Sequence, residues 1–483
     1  MIRSFLVTLL VSFFFIVASV FLHSCANIIP PTGGPRDSLP PVLIKATPTD
    51  SSSHFNTNRI TLQFDEYVTV DNPQDNVIVW PNPKTPPVIE SKLHEVYIRL
   101  KDTLEKNTTY TILFGKGLKD VNEGNADSSF NYVFTTGSQL DNNVLQGNVK
   151  LAETGKLDTT LLVALQTNLT DTAIQKNAPR YYAKLDGKGE FRFFNLPPAT
   201  FNVFVVPNDY TKRYDDSTKL FAFLNKPVTV QSAATQLVTL YAYQEYKETQ
   251  KKPLSSTTRT TSGTDNKAST KKRKKADTTI KVTTNLENGK QNFLRNLELT
   301  FSDTLESFDS SKFHFTDTNL IALPGFKIAA DTSADKLVIT YPWKENTPYK
   351  LVIEKGAIKD SSGYGLAEND TLSFYTLHES DYGSILMRFQ NLDTSRHPVL
   401  ELIQSEKIVQ YVVLTNYEWR QRFILPGDYE LRMLYDTNRN GKWDAGSYAE
   451  KRQPEIVQPA KTRSGGNKIT IRANWDNERN ILL

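Results

Sequence analysis

Short stretches of this chain alternate between apolar and polar residues, and turn residues separate them. Residues 60–64, 96–100, 110–114 and 130–135 each follow this pattern, which is typical of strands with one buried face. The sequence between them shows no helical period of useful length. The pattern therefore predicts an antiparallel β-sandwich over residues 42–137.

A second region, residues 278–377, repeats the first. Three segments match across the two regions: Leu297–Asp303 with Ile60–Asp65, Asn346–Tyr349 with Asn107–Tyr110, and Lys355–Asp360 with Lys116–Asp120. Internal repeats indicate a repeated architecture. We therefore expect a second sandwich of the same kind.

The regions that follow, 138–246 and 378–483, form another repeated pair. Gly189–Pro198 in one and Phe423–Leu431 in the other resemble the strand–turn–strand corner of transthyretin-like or carboxypeptidase-regulatory-like β-sandwiches. Strands are predicted at Leu162–Leu165 and Tyr411–Leu414, which fit that resemblance. The chain is therefore predicted to be all-β, a duplicated unit of an Ig-like and a transthyretin-like sandwich.

The N-terminus departs from this pattern. Arg3 precedes an uncharged apolar stretch, Ser4–Phe21, and Leu22-His23-Ser24-Cys25 resembles a bacterial lipobox. An uncleaved membrane anchor is the alternative, because 18 apolar residues just span a bilayer. Because the lone cysteine stands at the cleavage point, we predict a signal peptide over 1–24 and lipid attachment at Cys25.

A proline- and glycine-rich tether, residues 25–41, follows the predicted cleavage point. Pro31–Asp37 followed by Pro40 and Pro41 resembles the start of a family of Bacteroidetes lipoproteins in which a bacterial Ig-like domain follows the tether. This resemblance implies a lipid-anchored outer-membrane protein. Ala26–Ile29 lacks the acidic cluster that resembles a surface-export signal in such bacteria, which favours the periplasmic face.

Charge is unevenly distributed along the chain. Residues 247–276 carry a net charge of +8, whereas the whole chain carries +4 and the remainder is therefore mildly acidic. Lys, Thr and Ser dominate this segment, so 247–277 is predicted to be an unstructured linker between two independent halves. Its cluster Lys271–Lys275 is either solvated or contacts anionic lipid or glycan. An envelope location excludes nucleic acid as a partner.

One local motif carries candidate metal chemistry. The oxygen-bearing residues Asp436, Asn438, Asn440 and Asp444, with Gly441 at the sixth position, match the first part of an EF-hand-like calcium loop. Ser447 occupies the position of the usual bidentate glutamate, and Glu450 comes three residues later. The loop is therefore either a weak calcium site or a hairpin held by Asx turns.

The sequence contains little that predicts catalysis. The single cysteine excludes disulfides and thiolate metal sites after the anchor, and the histidines have no metal-ligand spacing. Asp65-Glu66 and Asp303 follow predicted strands, where acids usually occupy turns. We expect no cofactor apart from calcium, and a non-enzymatic scaffold that contacts membrane lipid and an envelope protein or glycan. An accessory subunit of an outer-membrane assembly or secretion machine, or a glycan-binding or glycan-processing module, are the alternatives.

Overall fold

The computed structural model describes residues 36–231, 236–245, 279–332 and 334–483. Lipid attachment at Cys25 and the linker predicted at 247–277 therefore lie outside the described residues. Within the described ranges, no helix has the length and apolar character needed to cross a membrane.

The first sandwich buries one face of the alternating segments 60–64 and 96–100, and both faces of the segments 110–114 and 130–135. Its sheets have the orders β1-β2-β6-β5 and β4-β7-β9, with β3 paired to β8. The nine strands are β1 (Leu43–Thr47), β2 (Arg59–Phe64), β3 (Val68–Val70), β4 (Ile78–Trp80), β5 (Val88–Lys92), β6 (Glu95–Arg99), β7 (Thr109–Leu113), β8 (Leu118–Asp120) and β9 (Asn131–Thr135). A helical turn, Pro73–Asn76, precedes β4.

The second sandwich is built around one long strand pair. Strand β10 pairs antiparallel with β13 and parallel with β17, and β11 lies between β12 and β14. The strands are β10 (Asn143–Leu151), β11 (Leu161–Gln166), β12 (Tyr181–Lys184), β13 (Glu190–Leu196), β14 (Ala199–Pro207), β15 (Leu220–Phe223), β16 (Val228–Val230) and β17 (Gln236–Gln244). Ala173–Lys176 forms a short helix.

The third sandwich repeats the first. Its sheets have the orders β18-β20-β24-β23 and β19-β27-β25-β22, with β21 paired to β26. The strands are β18 (Val282–Thr284), β19 (Lys290–Gln291), β20 (Leu297–Phe301), β21 (Leu305–Phe308), β22 (Phe313–Thr316), β23 (Lys327–Ala330), β24 (Lys336–Thr340), β25 (Pro348–Ile353), β26 (Ile358–Asp360) and β27 (Asp370–Thr376). Ser310–Lys312 is a 3₁₀ turn.

The fourth sandwich repeats the second. Strand β28 pairs antiparallel with β31 and parallel with β36, and β29 lies between β30 and β32. The strands are β28 (Gly383–Gln390), β29 (Pro398–Gln404), β30 (Lys407–Val413), β31 (Glu418–Ile424), β32 (Gly427–Tyr435), β33 (Ile456–Pro459), β34 (Lys461–Thr462), β35 (Lys468–Ile471) and β36 (Asp476–Leu482). Glu379–Asp381 and Thr394–Arg396 are 3₁₀ turns.

The predicted all-β fold is confirmed, and the repeat extends to individual hydrogen bonds. Asn107 and Asn346 both adopt a left-handed backbone, with φ of 49° and 46°. The next residue in each case donates its amide to a threonine hydroxyl at the end of the last strand, at 3.0 Å and 2.9 Å. Asn tolerates a left-handed backbone better than most residues. Because the same turn recurs with the same hydrogen bond, it identifies equivalent strands in the two sandwiches.

The strands predicted at Leu162–Leu165 and Tyr411–Leu414 are both present, but they are not equivalent to each other. Leu162–Leu165 lies within β11, whereas Tyr411–Val413 ends β30, which is equivalent to β12. The equivalent of β11 is β29, a nearly continuous buried run. Glu401 interrupts the apolar pattern of that run, which is why periodicity alone does not identify it. The transthyretin-like resemblance of the two sandwiches stays a prediction.

The two halves are not independent, contrary to the expectation from the linker. Tyr448 of the fourth sandwich is 6% exposed and belongs to a core cluster of the second sandwich. The amide of Val457 donates to the carbonyl of Ala152 at 2.8 Å. Contacts between residues so far apart in the chain leave no local pattern, so the sequence did not reveal them.

Candidate functional site

The Asp436 loop follows β32 directly and is closed by its own backbone. Asp436 is 2% exposed, and its carboxylate accepts the amides of Arg439, Asn440 and Gly441 at 2.6, 3.2 and 2.6 Å. Arg439 and Gly441 adopt positive φ angles, which permit the tight turn. The arrangement is that of an Asx-turn hairpin.

The other predicted ligands lie together at the mouth of this loop. The side-chain amides of Asn438 and Asn440 donate to one carboxylate oxygen of Asp444, at 2.7 Å and 2.6 Å. The structure therefore brings together all four residues that the motif predicts. Ser447 and Glu450 lie outside this set. Ser447 exchanges backbone hydrogen bonds with Arg452, and the Glu450 carboxylate accepts a hydrogen bond from the Arg452 side chain.

Glu455 is a member of this loop that the sequence did not predict. Its carboxylate accepts the amide of Thr437 at 2.6 Å and the amide of Asp444 at 3.1 Å. Burial raises the pKa of Glu455, and the neighbouring Asp436 carboxylate adds to that shift. Glu455 lies too far along the chain from Asp436 for a motif to include it. Within the described ranges, no three His, Cys, Asp or Glu side chains have metal-binding geometry, and the calcium site stays a prediction.

The loop leads into an arm, residues 443–457, which carries the contact between the two halves. The Tyr448 ring lies 5.1 Å from the rings of both Phe221 and Phe223 in the second sandwich. Its hydroxyl donates to the carbonyl of Asp171 at 2.8 Å. Burial of the Tyr448 ring removes apolar area from water, and its hydroxyl keeps a hydrogen-bond partner. Both effects stabilise the interface.

Two further residues secure the arm. The Lys451 ammonium lies 2.6 Å from the Asp171 carboxylate and 3.8 Å above the Tyr448 ring centroid. The side-chain amide of Gln453 donates to the carbonyl of Phe223 at 3.0 Å and to Asn225 at 2.8 Å. The arm is thus held by apolar, ionic and hydrogen-bonding contacts at once.

A buried carboxyl lies in the same interface. Glu401 on β29 is 1% exposed, and neither of its carboxyl oxygens has a hydrogen-bond partner among the residues that the structure describes. Burial raises its pKa to about 7; Arg432 on β32 opposes the shift and Glu153 of the second sandwich adds to it. Tyr411 lies opposite it on β30. Burying a polar group without a hydrogen-bond partner costs free energy, so the Glu401 carboxyl lowers the stability of the interface.

Aromatic contacts also connect the two sandwiches within each half. Trp80 of the first sandwich packs against Phe193 and Phe194 of the second, with ring centroids 5.3 Å apart in both pairs. In the other half, Phe423 of the fourth sandwich lies 5.9 Å from Phe293 of the third. Asn195 and Phe423 occupy the same bulge position, and both have a φ of 56°. A bulky aromatic residue rarely adopts this backbone, so the joint holds Phe423 in place.

The acidic residues considered for catalysis occupy turns. A carboxylate oxygen of Asp65 accepts the amide of Val42 at 2.8 Å. Asp303 accepts the hydroxyl of Ser302 at 2.9 Å. Burial raises the pKa of Glu66, and the carboxylates of Asp120 and Asp65 add to the shift. These contacts are those of turn and surface residues.

The comparison with known proteins identifies the class of two of the sandwiches. The profile of the bacterial Ig-like domain matches residues 37–136 and 274–376. The first and third sandwiches are therefore bacterial Ig-like domains. No curated protein is significantly similar to this chain.

Solved structures resemble the chain only in part. The TIE protein of Bacillus anthracis is 12% identical over 94% of this chain and 76% of its own, with a TM-score of 0.18. The major pilin subunit BcpA of Bacillus cereus is 10% identical over 71% and 99%, with a TM-score of 0.18. The T6 backbone pilin of Streptococcus pyogenes is 8% identical over 72% and 98%, with a TM-score of 0.15. At these TM-scores the similarities carry no argument about function.

Proposed function

We propose that this chain is a non-enzymatic scaffold of the cell envelope, anchored by lipid at Cys25 in the outer membrane and facing the periplasm. The observation that carries the proposal is the set of joints. Trp80 and Tyr448 are each buried in a sandwich other than their own. Four sandwiches held in this way form one body that presents loops and sheet edges in fixed relation, which suits a binding scaffold.

The anchor is the second element of the proposal. Cys25 is the single thiol of the chain and follows an apolar stretch of 18 residues. Leu39 is the fourteenth residue after it, which is at most roughly 50 Å of extended chain. An anchored body of this kind acts within a short distance of the bilayer.

Complementation of a deletion strain tests the proposal. Alanine at Asp65, Glu66, Asp303, His314 or His397 should leave complementation intact, because a scaffold does not depend on one titratable group. Deletion of residues 26–41 should impair it, and so should Tyr448→Ala, which breaks the joint. Loss of complementation in one stably folded carboxylate or histidine variant would overturn the scaffold and point to an enzyme.

A role as accessory subunit of an outer-membrane assembly is the second candidate. Among the described strands, β30 pairs only with β29, and it exposes Val409, Tyr411 and Val413 along one face. An open edge of this composition suits the addition of an extended strand from a partner protein. Val413→Lys should then abolish co-purification of the partner from crosslinked envelopes, whereas Lys407→Glu at the polar end of the strand should not.

A further inference from the structure

Exposed apolar side chains of the first sandwich gather at one end, which we call the tether end. Six large apolar residues there are 48–69% exposed: Leu39, Val42, Ile44, Tyr67, Leu93 and Val121. The second sandwich is attached at the opposite end, where Trp80 is buried. Apolar side chains so clustered on an otherwise polar domain commonly mark an interaction surface.

Backbone hydrogen bonds hold these residues side by side. The amide of Val121 donates to the carbonyl of Tyr67 at 3.0 Å, and the amide of Val68 donates to the carbonyl of Leu93 at 2.9 Å. The amide of Asp65 donates to the carbonyl of Val42 at 3.1 Å. These bonds place Val42, Tyr67, Leu93 and Val121 on neighbouring backbone segments. Leu39 and Ile44 lie close to Val42 in the chain, and we call the six residues together the rim.

The backbone of Leu93 is an independent indication. Leu93 and His94 form the two-residue turn between β5 and β6, and Leu93 has a φ of 54°. Asn or Gly is strongly preferred at such a position, so a leucine here costs stability. It is also 63% exposed and gains little from burial within the domain. A strained, exposed apolar residue is best explained by contact outside the chain.

We propose that the rim at the tether end rests on the surface of a lipid bilayer. This inference depends on the proposed anchor at Cys25, because the chain enters the first sandwich at this end, only fourteen residues after that cysteine. A tether holds the rim at high effective concentration beside the bilayer, so weak apolar contacts suffice. Tyrosine and aliphatic side chains are typical of the membrane interface.

The charges at this end select the kind of lipid. Arg36, Lys45 and Lys92 are cations at this end, and Arg36 donates to the carbonyl of Glu123 at 3.2 Å. They are outnumbered by the carboxylates of Asp37, Asp65, Asp120 and Glu123, which lie around Glu66. Their negative charge disfavours an anionic surface. The rim therefore fits a zwitterionic bilayer, such as one rich in phosphatidylethanolamine, whose ammonium groups can pair with carboxylates.

Photo-crosslinking to lipid tests the contact on the full chain. The protein is anchored in phosphatidylethanolamine–phosphatidylcholine vesicles that contain a diazirine phospholipid, and labelled tryptic peptides are quantified by mass spectrometry. The anchor is either the native lipid or a maleimide phospholipid coupled to Cys25. Two rim peptides are followed, Asp37–Lys45 and Leu93–Arg99. The matched control is Ile408–Arg420, which carries four exposed apolar residues of the fourth sandwich.

We expect the rim peptides to be labelled roughly tenfold more than the control peptide, as a high local concentration requires. Leu93→Asn with Val121→Ser should reduce labelling of Asp37–Lys45, and Val413→Ser with Tyr417→Ser should not. Phosphatidylglycerol should lower the labelling. Equal labelling of rim and control peptides with the maleimide anchor would overturn the contact. So would dimerisation that the rim variants abolish while lipid labelling stays low, which would assign the rim to a second copy.

Lipid attachment at Cys25 is tested separately from the contact of the rim with the bilayer. Intact mass of the native protein without lipid at Cys25 would contradict the proposed function. Labelling of the rim with the maleimide anchor would still support the contact in that case.

Discussion

The indole nitrogen of Trp80 donates a hydrogen bond to the backbone carbonyl of Tyr182, at 2.8 Å. Trp80 ends a strand of the first sandwich, whereas Tyr182 belongs to the second. The bond satisfies the one polar atom of a ring that is 3% exposed. The joint between the two sandwiches is therefore packed and satisfied like the interior of a single domain.

Trp80→Ala should lower the free energy of unfolding by about 3–5 kcal/mol, because a large buried ring is lost and a cavity remains. Trp80→Phe keeps much of the apolar area and should cost less. Denaturant unfolding of the full chain measures both. Trp475→Ala is the control: this ring is 59% exposed, so its loss should change stability by no more than about 0.5 kcal/mol. Equal effects at the two positions would refute the joint.

Trypsin should cut the basic segment 247–276 and leave two halves that stay together. Tyr448→Ala should separate them, because the ring that fills the second sandwich is removed. Tyr448→Phe loses only the bond to Asp171, worth about 1 kcal/mol, and should keep them associated. Gel filtration after cleavage reports the result. Tyr210→Ala, at a side chain that is 99% exposed, should have no effect. Separation of the wild-type halves would restore the independent-halves interpretation.

The stability of the interface should depend on pH through Glu401. Burial raises its pKa from about 4.5 to about 7, so the folded state holds the proton more tightly than the unfolded chain. Stability is then full below about pH 4.5 and falls as pH rises towards 7, by up to about 3 kcal/mol.

Glu401→Gln should flatten this dependence between pH 4.5 and 7, as followed by thermal unfolding across that range. Glu406→Gln is the control, since this nearby carboxylate is exposed and its ion pair with Lys156 lies at the surface. An unchanged slope in the Glu401 variant would show that the carboxyl stays ionised in the folded chain.

Calcium should raise the melting temperature if the Asp436 loop is a weak site, since a ligand that binds only the folded state stabilises it by mass action. Asp436→Ala should remove the shift at millimolar calcium, and Glu455→Gln should reduce it. Asp209→Ala in the equivalent loop of the second sandwich is the control and should leave the shift intact. A wild-type chain that does not respond to calcium would leave the loop as an Asx-turn hairpin.

Lipid attachment at Cys25 predicts a simple result. Intact mass of the membrane-extracted protein should correspond to a chain that starts at residue 25 with added acyl groups. Cys25→Ser should leave an unacylated precursor. A wild-type protein cleaved upstream of Cys25, or without lipid, would contradict the prediction.

The sequence by itself determined the strands and the duplication. Alternation with period two marked β2, β6, β7 and β9 to within a residue or two, because successive side chains of a strand point to opposite faces. The structure then buries one face of β2 and β6 and both faces of β7 and β9. Repeated turns such as Asn107-Thr108 and Asn346-Thr347 aligned the Ig-like pair, because their hydrogen bonds are local. The four residues of the Asp436 loop came together for the same reason.

The tertiary structure decided what lies between the sandwiches. Trp80, Tyr448 and Glu401 have partners tens to hundreds of residues away; the Tyr448 hydroxyl and the Asp171 carbonyl are separated by 277 positions. Nothing in the local pattern distinguishes a tyrosine that fills a neighbouring sandwich from one that is 99% exposed. Burial depends on which surfaces meet, and packing of distant segments decides this.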